Sequence, residues 1–248
     1  MVVNSIEWHC GATVARVQAA RKTASRATAN STRTVGRALS MLAVLAGAEA
    51  GYALNELAQL TGLAPSTALR FARTLQAGGF ARRDEAGRYH AGTQLLRVGA
   101  IALSKSAVYE IAAAHLVDLA EQTGETAHLA MLDPDGHVLY LRHVPSAKAV
   151  RHIGWSGPPF PPHGTAIGEA LLGLVGPEGY MGLRATLEPD VAAIAAPIRG
   201  GDGQIVAAVS VTGPTYRISD QAMTQIGAAV AREARAISLE LGARGTTA

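Results

Sequence analysis

Residues 57–73, with the sequence LAQLTGLAPSTALRFAR, decide the fold of the first part of this chain. Two helical segments are joined here by a turn at Gly62, because glycine tolerates the positive φ that a tight turn needs. Pro65 is typical of the first turn of a helix. Ala68 and Phe71 then lie three residues apart, which predicts one buried face on the second helix. The stretch therefore predicts a helix-turn-helix.

The opposite face of the second helix carries hydroxyl and guanidinium groups. Ser66 and Thr67 stand at its start, and Arg70 and Arg73 follow along the same helix. Such a face suits the DNA major groove, where hydroxyl groups meet phosphate and arginine forms paired hydrogen bonds with guanine. The alternative is an ordinary helical hairpin with a solvated polar face.

The segment after this helix predicts a β-hairpin over residues 80–91, with its turn at 84–87. A hairpin directly after a recognition helix is a wing. Helices predicted at 36–47 and 52–59 come before it, so residues 33–91 form a winged helix-turn-helix. Three arginines lie along the wing and are expected to face DNA phosphate: Arg82, Arg83 and Arg88.

Positive charge is concentrated in the first part of the chain. Residues 1–97 hold 12 basic and 5 acidic residues, a net charge of +7, whereas residues 98–248 carry a net charge of −4. A basic tail explains much of this excess, since residues 1–40 alone contribute +5. Five arginines nevertheless remain in the recognition helix and the wing, which favours a polyanionic partner. We expect residues 1–32 to form a flexible basic extension.

Composition argues against several classes of protein. Aromatic residues make up only 4% of the chain, which disfavours single-strand binding by stacked rings. Cys10 is the single cysteine, so neither a disulfide framework nor a cysteine-based zinc site is expected, and a reducing cytoplasm fits. The sequence shows no HxxxH or HxH spacing, no catalytic constellation and no phosphate loop, so we expect no metal, no cofactor and no enzyme activity. No apolar run reaches the roughly 18 residues of a membrane span.

The rest of the chain predicts an α+β domain over residues 106–242, with helices packed on one antiparallel sheet. An apolar linker helix over 92–105 precedes it and packs either on its own domain or on a partner subunit, where it would set the spacing of two DNA-reading heads. Residues 243–248 form a tail. The predicted order αβββαββα has helices at 109–122, 163–175 and 219–241 and strands at 126–132, 137–144, 149–154, 191–199 and 204–212.

A small-molecule site is predicted where the second of these helices begins. Two prolines end the preceding loop, and the first N–H groups of the helix would hold an anion. In the last strand, two hydroxyl side chains lie two residues apart and therefore face the same side of the sheet. Hydrogen bonding of these hydroxyls to neighbouring backbone is the alternative. The residues concerned are His163, Gly164, Thr165, Ser210 and Thr212.

Seven short motifs, in order, resemble those of IclR-type transcriptional regulators. The resemblance spans about residues 33–242 and implies operator DNA, a homodimer or dimer of dimers, and a GAF-like effector domain. The effector would be a small organic molecule, commonly carboxylic or aromatic, and the resemblance adds Val191 and Ala193 to its site. The motifs lie at 34–39, 60–67, 87–92, 124–129, 162–172, 194–198 and 207–214.

The segment 176–190 departs from the family pattern because it is short. Relatives carry an added helical segment and a short strand there, with an acidic residue that helps to close the pocket. Glu188 or Asp190 could take the place of that acid, or a neighbouring subunit could close the cavity. Trp155 and Phe160 are candidates for a lid or for core packing.

The sequence favours a ligand-responsive DNA-binding regulator. One alternative is a ligand-independent DNA-binding regulator with a degenerate pocket, which the short segment keeps open. The other is an enzyme whose winged domain binds another protein.

Overall fold

Helices and one small hairpin build the first unit of the chain. The computed structural model describes residues 33–48, 50–152, 160–186 and 188–243, and the boundary between two compact units falls between Ala102 and Leu103. The elements of the first unit are α1 (Arg33–Ala46), α2 (Leu54–Thr61), α3 (Pro65–Ala77), β1 (Ala81–Arg83), β2 (Tyr89–Ala91) and α4 (Thr93–Leu103).

The turn between α2 and α3 depends on Gly62, which has a φ of 63°. Its N–H donates to the Gln59 carbonyl at 3.1 Å, and the next N–H, of Leu63, donates to Ala58 at 2.9 Å. These two bonds satisfy carbonyls that the end of α2 would otherwise leave free. Pro65 is the first residue of α3. The helix-turn-helix prediction is therefore confirmed.

The wing is an antiparallel hairpin in which Arg82 lies opposite His90. Gly87, with a φ of 82°, makes its turn, as predicted. Asp84 holds the turn closed: its carboxylate accepts the Arg88 N–H at 2.8 Å and contacts His90 Nε2 at 2.7 Å.

The Arg88 side chain joins the wing to the start of α2. Its Nη2 donates to the Gly51 carbonyl at 2.8 Å and to Glu56 Oε2 at 3.1 Å, while Nε donates to Ala50 at 3.0 Å. Glu56 also accepts the Ala53 N–H at 2.6 Å, which caps α2. The guanidinium is therefore committed to bonds inside this unit.

Helix α4 exposes much of its apolar surface. No residue of α4 is buried, and Leu96 and Val98 are 71% and 48% exposed. Among the described residues, no single helix is long and apolar enough to cross a membrane; α4 and the helix after it reach that length and hydropathy only as a bent pair.

The second unit is a five-stranded antiparallel sheet with the strand order β4-β3-β7-β6-β5. Helices α5 and α7 cover one face of it, and the short helix α6 packs on the other. The α+β prediction with a central antiparallel sheet is confirmed. The elements are α5 (Ala107–Thr123), β3 (Thr126–Leu132), β4 (Val138–Val144), α6 (Ala166–Leu171), β5 (Met181–Arg184), β6 (Val191–Arg199), β7 (Ile205–Pro214) and α7 (Asp220–Glu240).

Local signals set the ends of the long elements. Gly124, with a φ of 66°, ends α5, and the Ser219 side chain accepts the Ala222 N–H at the start of α7. Both predicted hairpins, β3–β4 and β6–β7, are present.

The strand predicted at 149–154 is wrong for the residues that the structure describes, 149–152, and the other two lie outside the described residues. Side chains, rather than a neighbouring strand, bind the carbonyls of this segment. Arg217 Nη2 donates to Val150 at 2.9 Å, and Thr126 Oγ1 donates to His152 at 2.9 Å. The chain is thus held to the sheet without extending it.

The helix predicted at 163–175 is shorter than expected. Thr165 is its N-cap, and Gly173, with a φ of 77°, directs the chain out of the helix just after α6. A strand that was not predicted, β5, follows within the short segment 176–190 and pairs with β6. The order of elements is therefore αββαβββα.

The bonds of Arg88 lead to a stability prediction. We expect Arg88→Ala to lower the free energy of unfolding by about 1–2 kcal/mol, because it removes charge-assisted bonds between the wing and α2. Arg82→Ala is the matched control: its side chain is exposed and makes no hydrogen bond within the described part of the chain, so its effect should stay within about 0.5 kcal/mol. Urea unfolding followed by circular dichroism measures both. Equal losses would contradict the structural role of Arg88.

Candidate functional site

The exposed face of α3 is the first candidate site. Ser66, Arg70 and Arg73 are exposed, and Thr67 is half-buried. The Arg70 guanidinium lies 5.7 Å from the centre of the Phe71 ring, within the range of a cation–π contact. An open groove runs along this face, lined by Ser66, Leu69, Arg70, Arg73, Thr74 and Ala77.

The three wing arginines differ in exposure and in how many bonds their guanidinium groups make within the protein. Arg82 is exposed at the edge of the hairpin. Arg83 lies over the Tyr89 ring at 5.6 Å, and its Nε donates to the Gly87 carbonyl at 3.0 Å, so it is exposed but held in place. Arg88 is bound internally, as described above. Two guanidiniums of the wing thus remain available to a phosphate backbone.

A cavity of about 50 Å³ between α6 and the sheet is the second candidate site. Five of the seven residues predicted for effector binding line it: Thr165, Val191, Ala193, Ser210 and Thr212. The other lining residues are Tyr140, His152, Phe160, Ala166, Ile167, Leu183, Thr186 and Glu188.

The structure places His163 and Gly164 outside the lining of this cavity. The His163 side chain is 74% exposed. The Gly164 N–H already donates to Glu169 Oε1 at 2.9 Å, so an internal carboxylate occupies the position where an anionic ligand was expected.

Strand register brings the polar groups together. Ser210 lies opposite His128 on β3 and Ala195 on β6, and Thr212 lies opposite Thr126 and Ala193. The neighbouring positions along β7 turn to the other face, into the apolar core beneath α5 and α7. The two hydroxyls therefore face the same side, as their spacing predicted, and that side is the cavity.

A cluster of rings around the buried His128 lies beside Ser210. The His128 ring is 5.2 Å from the Tyr140 ring, 5.6 Å from His152 and 6.2 Å from His143, which pairs with it across the strands. Burial lowers the pKa of His128 to about 3 and raises that of Tyr140, so both are neutral near pH 7. Within the described residues, no group of three or more histidine, cysteine or acidic side chains is placed to hold a metal.

Several polar atoms of this region have no hydrogen-bond partner among the described residues. They are both ring nitrogens of His128, Nδ1 of His152 and Oγ of Ser210. A buried donor or acceptor without a partner costs about 1–3 kcal/mol, so these atoms need partners, which a bound molecule or ordered water can supply.

An ion-pair network fixes the segment that carries His152. Arg217 makes two bonds of 2.7 Å to the Glu125 carboxylate, which is 3% exposed, and Lys148 adds a third at 2.9 Å. Burial alone would raise the pKa of Glu125, but the bonds from Arg217 and Lys148 have the larger combined effect, so its pKa is lowered. Because Arg217 also binds the Val150 carbonyl, the network positions the chain just before His152.

Sequence reasoning did not assign Tyr140, His152 or Thr186 to the cavity, and it named Glu188 only as one of two candidate acids. Tyr140 is the exception that a pattern could have found, since it lies two residues from the buried Val138 on β4 and therefore on the same face of the sheet. His152, Thr186 and Glu188 come from segments without regular structure, where periodicity gives no direction for a side chain.

Comparisons with known proteins agree with this arrangement. The model of the IclR helix-turn-helix domain matches residues 34–85, and that of the bacterial transcriptional regulator IclR C-terminal domain matches residues 100–188 and 176–239. The chain is 34% identical to the glycerol operon regulatory protein of Streptomyces coelicolor, over 87% of this chain and 98% of that protein.

Two further comparisons point the same way. The transcriptional repressor IclR of Escherichia coli is 29% identical, over 83% of this chain and 89% of the repressor. A solved IclR transcriptional regulator from Alicyclobacillus acidocaldarius superposes with a TM-score of 0.76 at 25% identity, covering 86% of this chain and all of that one. The chain belongs to the IclR family of DNA-binding transcriptional regulators.

Proposed function

We propose that this regulator is ligand-responsive and reads a specific operator, and that the cavity against the inner face of the sheet binds its small organic effector. The observation that carries the proposal is the set of unpartnered polar atoms at His128, His152 and Ser210. A fold that only held DNA would have no use for such atoms in its interior, since apolar residues of similar shape would avoid their cost.

The DNA contacts follow from exposure. Ser66, Thr67, Arg70 and Arg73 would enter the major groove on α3, with Arg70 the candidate for paired bonds to guanine. Arg82 and Arg83 would bind phosphate from the wing. Arg88, which the sequence grouped with them, instead holds the wing in position.

The effector contacts proposed are the cavity-lining residues of the predicted set. Thr165, Ser210 and Thr212 supply hydroxyls, and Val191 and Ala193 supply an apolar wall. His163 and Gly164 lie outside the lining and are not proposed as contacts. Glu188, which lines the cavity, is the better of the two candidates for the acidic residue.

The regulator is proposed to work in the cytoplasm as a homodimer or a dimer of dimers. Operator half-sites on one face of DNA require two reading heads at a fixed spacing. The exposed Leu96 and Val98 of α4 are the apolar positions that a second copy of the chain would cover.

A ligand-independent regulator with a degenerate pocket is the second candidate. The small volume of the cavity, about 50 Å³, is the observation that favours it. The unpartnered polar atoms count against it.

Two arginine variants test the DNA contacts. Arg70→Ala should remove sequence-specific binding at a cost of about 1–3 kcal/mol, because it removes the contact to a base. Arg82→Ala should weaken binding to all sequences alike and lower the slope of log affinity against log salt by about 1. Fluorescence anisotropy with DNA from the chain's own promoter and with scrambled DNA, at several salt concentrations, separates the two effects.

Arg235→Ala, an exposed arginine on α7, is the control for loss of a positive charge. If Arg70→Ala reduced specific and nonspecific affinity by the same factor, Arg70 would be a phosphate contact and the assignment would fail.

A cavity variant tests the effector site. We expect the double variant Ser210→Ala with Thr212→Val to lose the response of DNA binding to small molecules, while its affinity for the same DNA stays within twofold of the native value. The reason is that both hydroxyls lie in the second unit and line the cavity. DNA binding titrated with a panel of small organic molecules measures this, and Thr224→Val, on the exposed start of α7, is the control. A retained response would place the effector elsewhere.

A further inference from the structure

Among the described residues, the lining of the cavity includes no lysine or arginine that would neutralise an acid. Among its 13 lining residues, Glu188 is the one with a full charge near pH 7, and none is lysine or arginine. The residues that the structure does not describe in this domain, 153–159 and 187, contain neither lysine nor arginine in the sequence. A bound carboxylate would therefore meet a carboxylate and no permanent cation.

The start of α6 does not compensate for this lack. Gly164 donates its N–H to Glu169 at 2.9 Å, and the Gly168 N–H is taken by Thr165 Oγ1 at 3.1 Å. The Glu169 carboxylate, half-buried beside these bonds, adds a second negative charge near the place where an anion would bind.

The unpartnered atoms include groups that donate and groups that accept. The Ser210 hydroxyl, which lines the cavity, can do both, and the neutral His128 imidazole, which lies opposite Ser210 but outside the lining, has one N–H donor and one nitrogen acceptor. Nδ1 of His152 adds one more donor or acceptor. A carboxylate only accepts and an ammonium only donates, so each would leave part of the set unpaired, whereas hydroxyl groups do both.

The imidazoles remain neutral because burial lowers the pKa of both His128 and His152. The titratable groups around His128 are Tyr140, His143 and His152, and Glu188 lies beyond His152, with 3.8 Å between its Oε1 and Nε2 of that ring. Glu188 partly opposes the effect of burial on His152. Neither His128 nor His152 therefore supplies a stable positive charge near pH 7.

We propose that the effector is a small uncharged polyol, an inference that rests on the proposed function of the cavity. Its hydroxyls bond with Ser210 and His152 and reach His128, which lies behind the lining, only through water, and Glu188 accepts from hydroxyls at the other side. Its carbon chain packs on the apolar wall that Ile167 and Leu183 help to form. This class differs from the carboxylic and aromatic molecules that the family resemblance suggested.

Matched probes of nearly equal size test the proposal. Glycerol and xylitol are the polyols, glycerate and xylonate the corresponding acids, and 2-aminopropane-1,3-diol the amine that matches glycerol. Titration calorimetry on the full chain should give binding of a polyol at least tenfold tighter than binding of its acid or amine. The same polyol should change the affinity of the chain for its promoter DNA.

The pH dependence separates the mechanisms. Affinity for a polyol should change less than threefold between pH 6 and 8. If an acid bound together with a proton on a buried histidine, its affinity would instead fall by about tenfold for each unit of rising pH over this range.

Glu188→Gln provides a check on charge, with the exposed Glu178→Gln as its control. An amide can still accept from a hydroxyl, so polyol affinity should fall by no more than about fivefold. An acid ligand would gain affinity from this change, and an amine ligand would lose most of it.

The outcomes distinguish the inference from the proposed function. Tighter binding of an acid or the amine, with a change in DNA affinity, would overturn the polyol inference and leave the ligand-responsive regulator intact. Specific DNA binding that no probe alters, together with no heat of binding for any probe, would overturn the polyol inference; the proposed function would fail only if the wider panel of small organic molecules also left DNA binding unchanged.

Discussion

The alternation of side chains along β7 is the constraint on which the second unit depends. Val209 and Val211 enter the core beneath α5 and α7, so Ser210 and Thr212 must face the other side. A shift of one residue in register would bury the hydroxyls in that apolar core and is therefore strongly disfavoured. Because β7 lies between β3 and β6, this alternation also sets the paired positions of both neighbours, which are polar on β3 (Thr126 and His128) and apolar on β6 (Ala193 and Ala195).

The polar side of the sheet lowers the stability of the fold, and an ion-pair network beside it offsets part of this loss. Unpartnered buried atoms at His128 and Ser210 each lower stability, whereas the bonds among Glu125, Lys148 and Arg217 tie the adjoining segment firmly to the sheet. Natural sequences accept such local conflict mainly at functional sites. The first unit shows no comparable conflict among its described residues, because its function lies on an exposed face of α3 whose donors water can satisfy.

The parts that sequence predicted well are those with a local physical signal. Gly62 and Gly124 end helices through left-handed backbone, and two hairpins follow from alternation and turn residues. Prediction failed where distant groups decide the outcome. Residues 149–152 looked like a strand, yet Thr126 and Arg217 bind two of their carbonyls and hold the segment whose His152 lines the cavity. Arg88 likewise has the same sequence context as Arg82 and Arg83 on the wing, and only its bonds to Gly51 and Glu56 show that it has a structural role.

Reciprocal coupling is the most direct test of a ligand-responsive regulator. If a small molecule changes the affinity of the chain for its promoter DNA by some factor, DNA must change the affinity for that molecule by the same factor. The measurement is the dissociation constant of the tightest-binding small molecule, for the free protein and for the protein saturated with promoter DNA. We predict that the two constants differ by at least fivefold and match the shift seen in DNA binding. Equal constants would contradict the account, since the cavity and the DNA-binding surface would then be independent.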